Sequence, residues 1–85
     1  MQELKEQFIG RGSVKGFSFT QRNKSEKAYI YEVNTGSSIH FEVFKRKENI
    51  RFNTISYPGD NSFGLWAWCF KSYEKALEKF EELSV

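Results

Sequence analysis

One cysteine, one histidine and one proline are all that this 85-residue chain contains of those types. A single cysteine excludes an internal disulfide, so a reducing cytoplasm is the expected setting. His40 and Cys69 lie far apart, and neither has a second ligand pair nearby. A zinc site built on His and Cys is therefore not expected, and no cofactor is implied. No run approaches the roughly 18 apolar residues of a membrane span, so no membrane partner is expected. The opening residues, MQELKEQFIGRG, are charged and lack the apolar stretch of a signal peptide.

What the chain has in quantity is aromatic side chains: nine Phe, four Tyr and two Trp, 18% of the residues. A chain this short buries only about 60–65% of the surface that it exposes when unfolded. Large rings are how it fills a core, and the expectation is one folded domain over residues 1–85. Charge is unevenly spread. Residues 11–51 carry nine Lys/Arg against four acids, a balance of +5; residues 52–85 carry three Lys against five acids, a balance of −2. That polarity is well short of the strongly basic domains that announce nucleic-acid binding.

Residues 1–7 have the spacing of a short helical turn, with Leu4 and Phe8 four apart, but too little length to stand alone. Residues 1–12 are expected to be a flexible N-terminal segment. Gly10, Gly12 and Gly16 follow. Their spacing, G-x-G-x-x-x-G before a strand, does not fit a dinucleotide fingerprint, which needs G-x-G-x-x-G before a helix. Alternation then predicts strands over residues 14–22, 28–34 and 38–46. Residues 50–57 read as a further strand with a bulge or an extended edge. Asn34-Thr35-Gly36-Ser37 reads as a turn, and Pro58-Gly59-Asp60-Asn61-Ser62 carries the strongest turn signal in the chain.

Residues 63–70 read as the last strand. Leu65, Ala67 and Cys69 fall on one face, with Trp66, Trp68 and Phe70 on the other. Ser72 is suited to cap a helix, and Glu74 suits the positive end of its dipole. Tyr73, Ala76, Leu77, Phe80 and Leu83 then form one apolar stripe at helical period. The expected fold is α+β: an antiparallel meander of four to five strands with one C-terminal amphipathic helix on one face.

Catalysis has little support in the sequence, and no enzyme is expected. Cys69, between Trp68 and Phe70, reads as a buried and inert thiol, His40 as a half-exposed strand residue, and Glu32 and Glu42 as solvated cross-strand neighbours. No nucleophile, base and orienting group come together. Binding has more. One helix covers one face of a sheet, yet both faces of these strands carry rings, and an exposed aromatic face marks an interaction site. Two readings follow. In the first, Arg22, Lys24, Lys27, Lys45, Arg46, Lys47 and Arg51 track phosphates while Tyr29 and Tyr31 stack bases on a basic, aromatic side of the sheet. In the second, the uncovered face or edge, with Phe44, Trp66 and Trp68, joins a protein partner or a second copy of the chain as a homodimer.

Residues 66–80, WAWCFKSYEKALEKF, resemble the end of the three-strand-plus-helix DNA-binding domains of plant AP2 factors and of phage and transposon integrase arms. There a strand W-x-G-x-F runs into [ST]-x-E-x-A-x-x-x-[FY]. Trp66, Phe70, Ser72, Glu74, Ala76 and Phe80 fit that spacing, while Trp68 stands where the family has Gly. The whole chain also resembles small uncharacterised proteins carried by phages and mobile elements of gut bacteria. That resemblance rests on F-x-G-x-G-S-V-K-G-F at residues 8–17, HFEVFK at residues 40–45, and SYP with FGLWAW within residues 56–68. It implies a role in nucleic-acid or host interaction and brings no known activity.

Overall fold

The computed structural model describes all 85 residues. In chain order its elements are β1 (Gln7–Ile9), β2 (Ser18–Lys24), β3 (Ala28–Asn34), β4 (Ile39–Lys45), β5 (Glu48–Asn49), β6 (Thr54–Ile55), β7 (Ala67–Phe70) and α1 (Tyr73–Leu83). Five strands form one antiparallel sheet in the order β1-β2-β3-β4-β7, and β5 and β6 make a separate small hairpin. The fold is α+β, an antiparallel sheet with one C-terminal helix.

The centre of the sheet follows from alternation and turn chemistry. Between β3 and β4 the Asn34 side chain accepts from the amide of Gly36 at 2.8 Å, and Gly36 takes the positive φ of 94° that the turn demands. Between β2 and β3, Ser25 Oγ accepts from the amides of Lys27 and Ala28. Arg22 is the extra residue of a bulge: Gln21 faces Tyr31 and Asn23 faces Ile30, which leaves Arg22 without a partner.

On one face α1 packs over β3, β4 and β7. Ala76 and Phe80 are its buried residues, set against Ala28, Ile30, Phe41 and Val43. Ser72 caps it, its Oγ accepting from the amide of Lys75. Trp68 and Phe70 face Val43 and Phe41 across the ladder and so lie on this helix side.

The opposite face is not open. Leu4 and Phe8 from the N-terminal segment, and Ile55, Tyr57, Phe63 and Trp66 from the long connection after β4, pack over Phe19, Tyr29, Tyr31, Val33 and Phe44. Tyr57 is the hub. Its ring meets Phe8, Phe19, Tyr31 and Phe44 edge-on, with centroids 4.8–5.5 Å away. Its hydroxyl donates to Glu42 Oε1 at 2.7 Å.

Several expectations are corrected. The N-terminal segment does not form the helical turn that its spacing suggests. It supplies β1, and the main chain of Gln2 bonds Asn53 and Ile55 beside β6. Gly10 is buried there, and a Cβ on it would collide with the Val14 oxygen and the Phe19 ring. Residues 50–57 do not form one bulged strand: β5 and β6 pair around a turn in which Asn53 takes a φ of 55°. Trp66 does not share a face with Trp68, because a turn through Gly64 at a φ of 91° precedes β7 and sends Trp66 to the Phe44 side. Glu32 and Glu42 point to opposite faces, Glu42 beside Tyr57 and Glu32 to Arg22.

Tyr57→Ala is expected to cost about 3–5 kcal/mol, as the loss of a ring that fills a core. Tyr57→Phe keeps the ring and loses one bond to a carboxylate, at about 1–3 kcal/mol. Urea denaturation measures both. A cost below about 1 kcal/mol for Tyr57→Ala would show that this ring does not hold the second face shut.

Candidate binding surface at the basic end of the sheet

Five of the seven expected basic residues meet at one end of the sheet. Lys24 closes β2, Lys27 precedes β3, and Lys45, Arg46 and Lys47 follow one another out of β4. The register sets Ala28 opposite Lys45, and the amide of Arg46 donates to the Lys27 oxygen at 2.7 Å. Shallow grooves run here, one lined by Lys24, Ser25, Glu26 and Arg46, another by Glu26, Lys27, Lys45, Arg46, Glu48 and Leu83.

These cations are not equivalent. Arg46 is held on both sides, its NH1 2.6 Å from Glu3 Oε2 and its Nε 3.3 Å from Glu48. Lys24 reaches Glu3 Oε1 at 3.3 Å. Lys27 Nζ donates to the main-chain oxygen of Val85 at 2.7 Å. Lys45 and Lys47 have no carboxylate partner within 4 Å, and Lys47 lies over the Trp66 ring at 5.0 Å.

The remaining two lie apart. Arg22 pairs with Glu32 and covers the Tyr73 ring at 4.8 Å, on the helix side. Arg51 stands over Phe52 at the tip of the β5–β6 hairpin, where Ile50 is 84% and Phe52 65% exposed.

The expected aromatic contacts are corrected. Tyr29, Tyr31 and Phe44 are fully buried and cannot stack a base or join a partner without unfolding the second face. Trp68 lies beside α1 with Lys79 Nζ 4.1 Å from its ring centre. Trp66 alone stays half-exposed at the basic end.

Tyr29 still reaches this surface through its hydroxyl, which donates to Glu3 Oε1 at 2.8 Å and accepts from Arg46 NH1 at 2.7 Å. Partial burial raises the pKa of the Glu3 carboxyl, but bonds from Arg46, Tyr29 and Lys24 outweigh it and hold the value below normal. No sequence pattern announces this contact. Glu3 lies in a segment without periodicity, and only the path of that segment over the second face brings it to Arg46.

A second polar cluster joins Tyr57, Glu42 and His40. Glu42 accepts from Tyr57 on one oxygen and lies 3.0 Å from His40 Nε2 through the other. Cys69, opposite Glu42 in the ladder, is exposed and not buried as expected. Desolvation, then the Glu42 carboxylate, pushes its thiol pKa up, which disfavours the reactive thiolate. These residues tie the second face down, and no group of His, Cys, Asp and Glu in the chain is arranged to hold a metal ion.

No helix is long and apolar enough to cross a membrane. No protein-family model, no curated protein and no solved structure matches the chain.

Desolvation raises the hydroxyl pKa of Tyr29 to about 12 and also lifts those of Tyr31 and Tyr57. Groups raised in the fold contribute fully below their ordinary value of 10, and that contribution is lost as pH climbs through the folded values. Stability is therefore expected to fall between pH 10 and about 12. Thermal melts with ultraviolet tyrosine titration check this; three tyrosines ionising near 10 in the folded protein would contradict it.

Proposed function

We propose that the protein is a non-catalytic nucleic-acid-binding module that binds through the basic end of its sheet. The observation that carries this reading is the convergence of Lys24, Lys27, Lys45, Arg46 and Lys47 from two adjacent connections, with Lys45 and Lys47 free of any carboxylate. Glu3 and Glu48 offset part of this charge at Lys24 and Arg46, but Lys45 and Lys47 keep theirs unpaired, and an incoming phosphate backbone can neutralise them while releasing its own counterions. Trp66, half-exposed beside Lys47, adds one ring on which a base can stack. The aromatic sheet face has no part in this mode.

A protein partner is the second reading, and the hairpin tip favours it. Ile50 and Phe52 are exposed large apolar residues close in sequence, with Arg51 over the Phe52 ring. A second copy of the chain docking on this tip would make a homodimer.

Fluorescence polarisation with single-stranded and duplex oligonucleotides separates the two. Binding is expected at about 50 mM salt and to weaken steeply toward about 200 mM. Lys45→Ala with Lys47→Ala should weaken all sequences alike and lower the single-strand salt slope by roughly 0.7 per lysine. Absence of binding at about 50 mM salt would overturn the nucleic-acid reading. A dimer in light scattering that Phe52→Ser abolishes would establish the second.

A further inference from the structure

The Glu3 carboxylate sits in a cradle of three donors at the basic end of the sheet. Arg46 NH1 donates to one of its oxygens at 2.6 Å; the Tyr29 hydroxyl at 2.8 Å and Lys24 Nζ at 3.3 Å meet the other. Two of the donors are held by burial, and the third, the Lys24 side chain, is as open to water as Glu3 itself. Tyr29 is fully buried on the central strand β3, Lys24 ends β2, and Arg46 is pinned at its main chain to the Lys27 oxygen. Glu3 belongs to no strand or helix, and its side chain is 39% exposed.

Glu3 is shared between two cations, Lys24 and Arg46, and Arg46 is also paired with Glu48 on its other side. A free phosphate offers more oxygens and up to two negative charges to the same three donors, whereas a phosphodiester matches the carboxylate with two non-bridging oxygens and one charge and must gain from neighbouring cations. The main chain on either side of Glu3 is fastened independently. Gln2 bonds Asn53 and Ile55, and the Lys5 oxygen accepts from the Tyr31 hydroxyl at 2.6 Å. Rotation about the Glu3 side-chain bonds alone therefore empties the cradle, and the N-terminal segment stays in place. An ion pair this open to water is weak enough for such an exchange.

We propose that Lys24, Tyr29 and Arg46 form a receptor for a phosphate oxyanion, and that Glu3 occupies it as a built-in competitor. Glu3 thereby sets a threshold: only a ligand that gains from neighbouring contacts, such as a phosphodiester chain also touching Lys45 and Lys47, displaces it. The cradle stands on its own contacts. The identification of its ligand as a nucleic-acid backbone rests on the function proposed above.

Glu3→Gln removes the competing charge and keeps the side chain's size. Two probes are titrated into the wild type and the variant: inorganic phosphate, followed by the amide resonances of Lys24 and Arg46, and a single-stranded oligonucleotide, followed by polarisation. Circular dichroism checks that each variant is folded, with Glu3→Ala as a second variant. Both probes are expected to bind the variant about tenfold more tightly than the wild type. Adding Lys24→Gln or Tyr29→Phe should reverse that gain. Unchanged phosphate and oligonucleotide affinity in both Glu3 variants would overturn the cradle, even where the wild type binds oligonucleotide through Lys45 and Lys47. A gain for inorganic phosphate with no oligonucleotide binding by any form would uphold the cradle, make its ligand a free phosphate, and overturn the nucleic-acid reading.

Discussion

Tyr57 sits with its ring against four others and its hydroxyl on Glu42, and the layout of the second half of the molecule follows from that one seat. A sheet with rings on both faces cannot stand with one face bare. Helix α1 supplies one cover. The other is assembled from pieces too short to have cores of their own, namely the first eight residues and the connection from Lys47 to Trp66. What unites them is a shared aromatic cluster in which Phe8 and Phe19 stack at 4.6 Å and Tyr57 wedges against their edges. Removing water from both faces also removes the sheet surface as a place to bind, and leaves the ends of the strands.

That transfer from face to end organises the chemistry. Strand ends are where polar connections must lie, because buried loops would strand their backbone groups. Lysines and arginines there cost little and stay solvated. Once Tyr29 is buried, its hydroxyl becomes the one rigid polar atom beneath them, linking the aromatic cluster to Glu3 and Arg46. The polar cluster of Tyr57, Glu42 and His40 fastens the same cover at the other end of the face.

Much of the frame was legible. Strand β3 spans the residues that alternation marks, β4 differs by one residue at each end, and Ser72 with the stripe from Tyr73 to Leu83 describes α1 as it stands. These segments carry a period because each buries a whole face. The second cover was not legible for the opposite reason. Ile55, Tyr57, Phe63 and Trp66 reach the core singly from irregular backbone, so no period records them. The sequence does contain one clue to it: rings on both faces of β3 and β4 require two covers, and not one cover and one site. The basic residues were visible as a cluster, whereas their pairing was not. Arg46 meets Glu3 across 43 positions, a contact that only the closed fold creates.

The bridge between Gln2 and Thr54 carries a consequence for the order of assembly. It joins residues far apart in the chain, whereas β1 pairs with its sequence neighbour β2. The residues that lead into this edge strand therefore stay unpartnered until β6 closes on them. Closing so long a loop is entropically slow, and the aromatic cluster completes only then. Until that loop closes, the rings on that side of β3 and β4 remain in water.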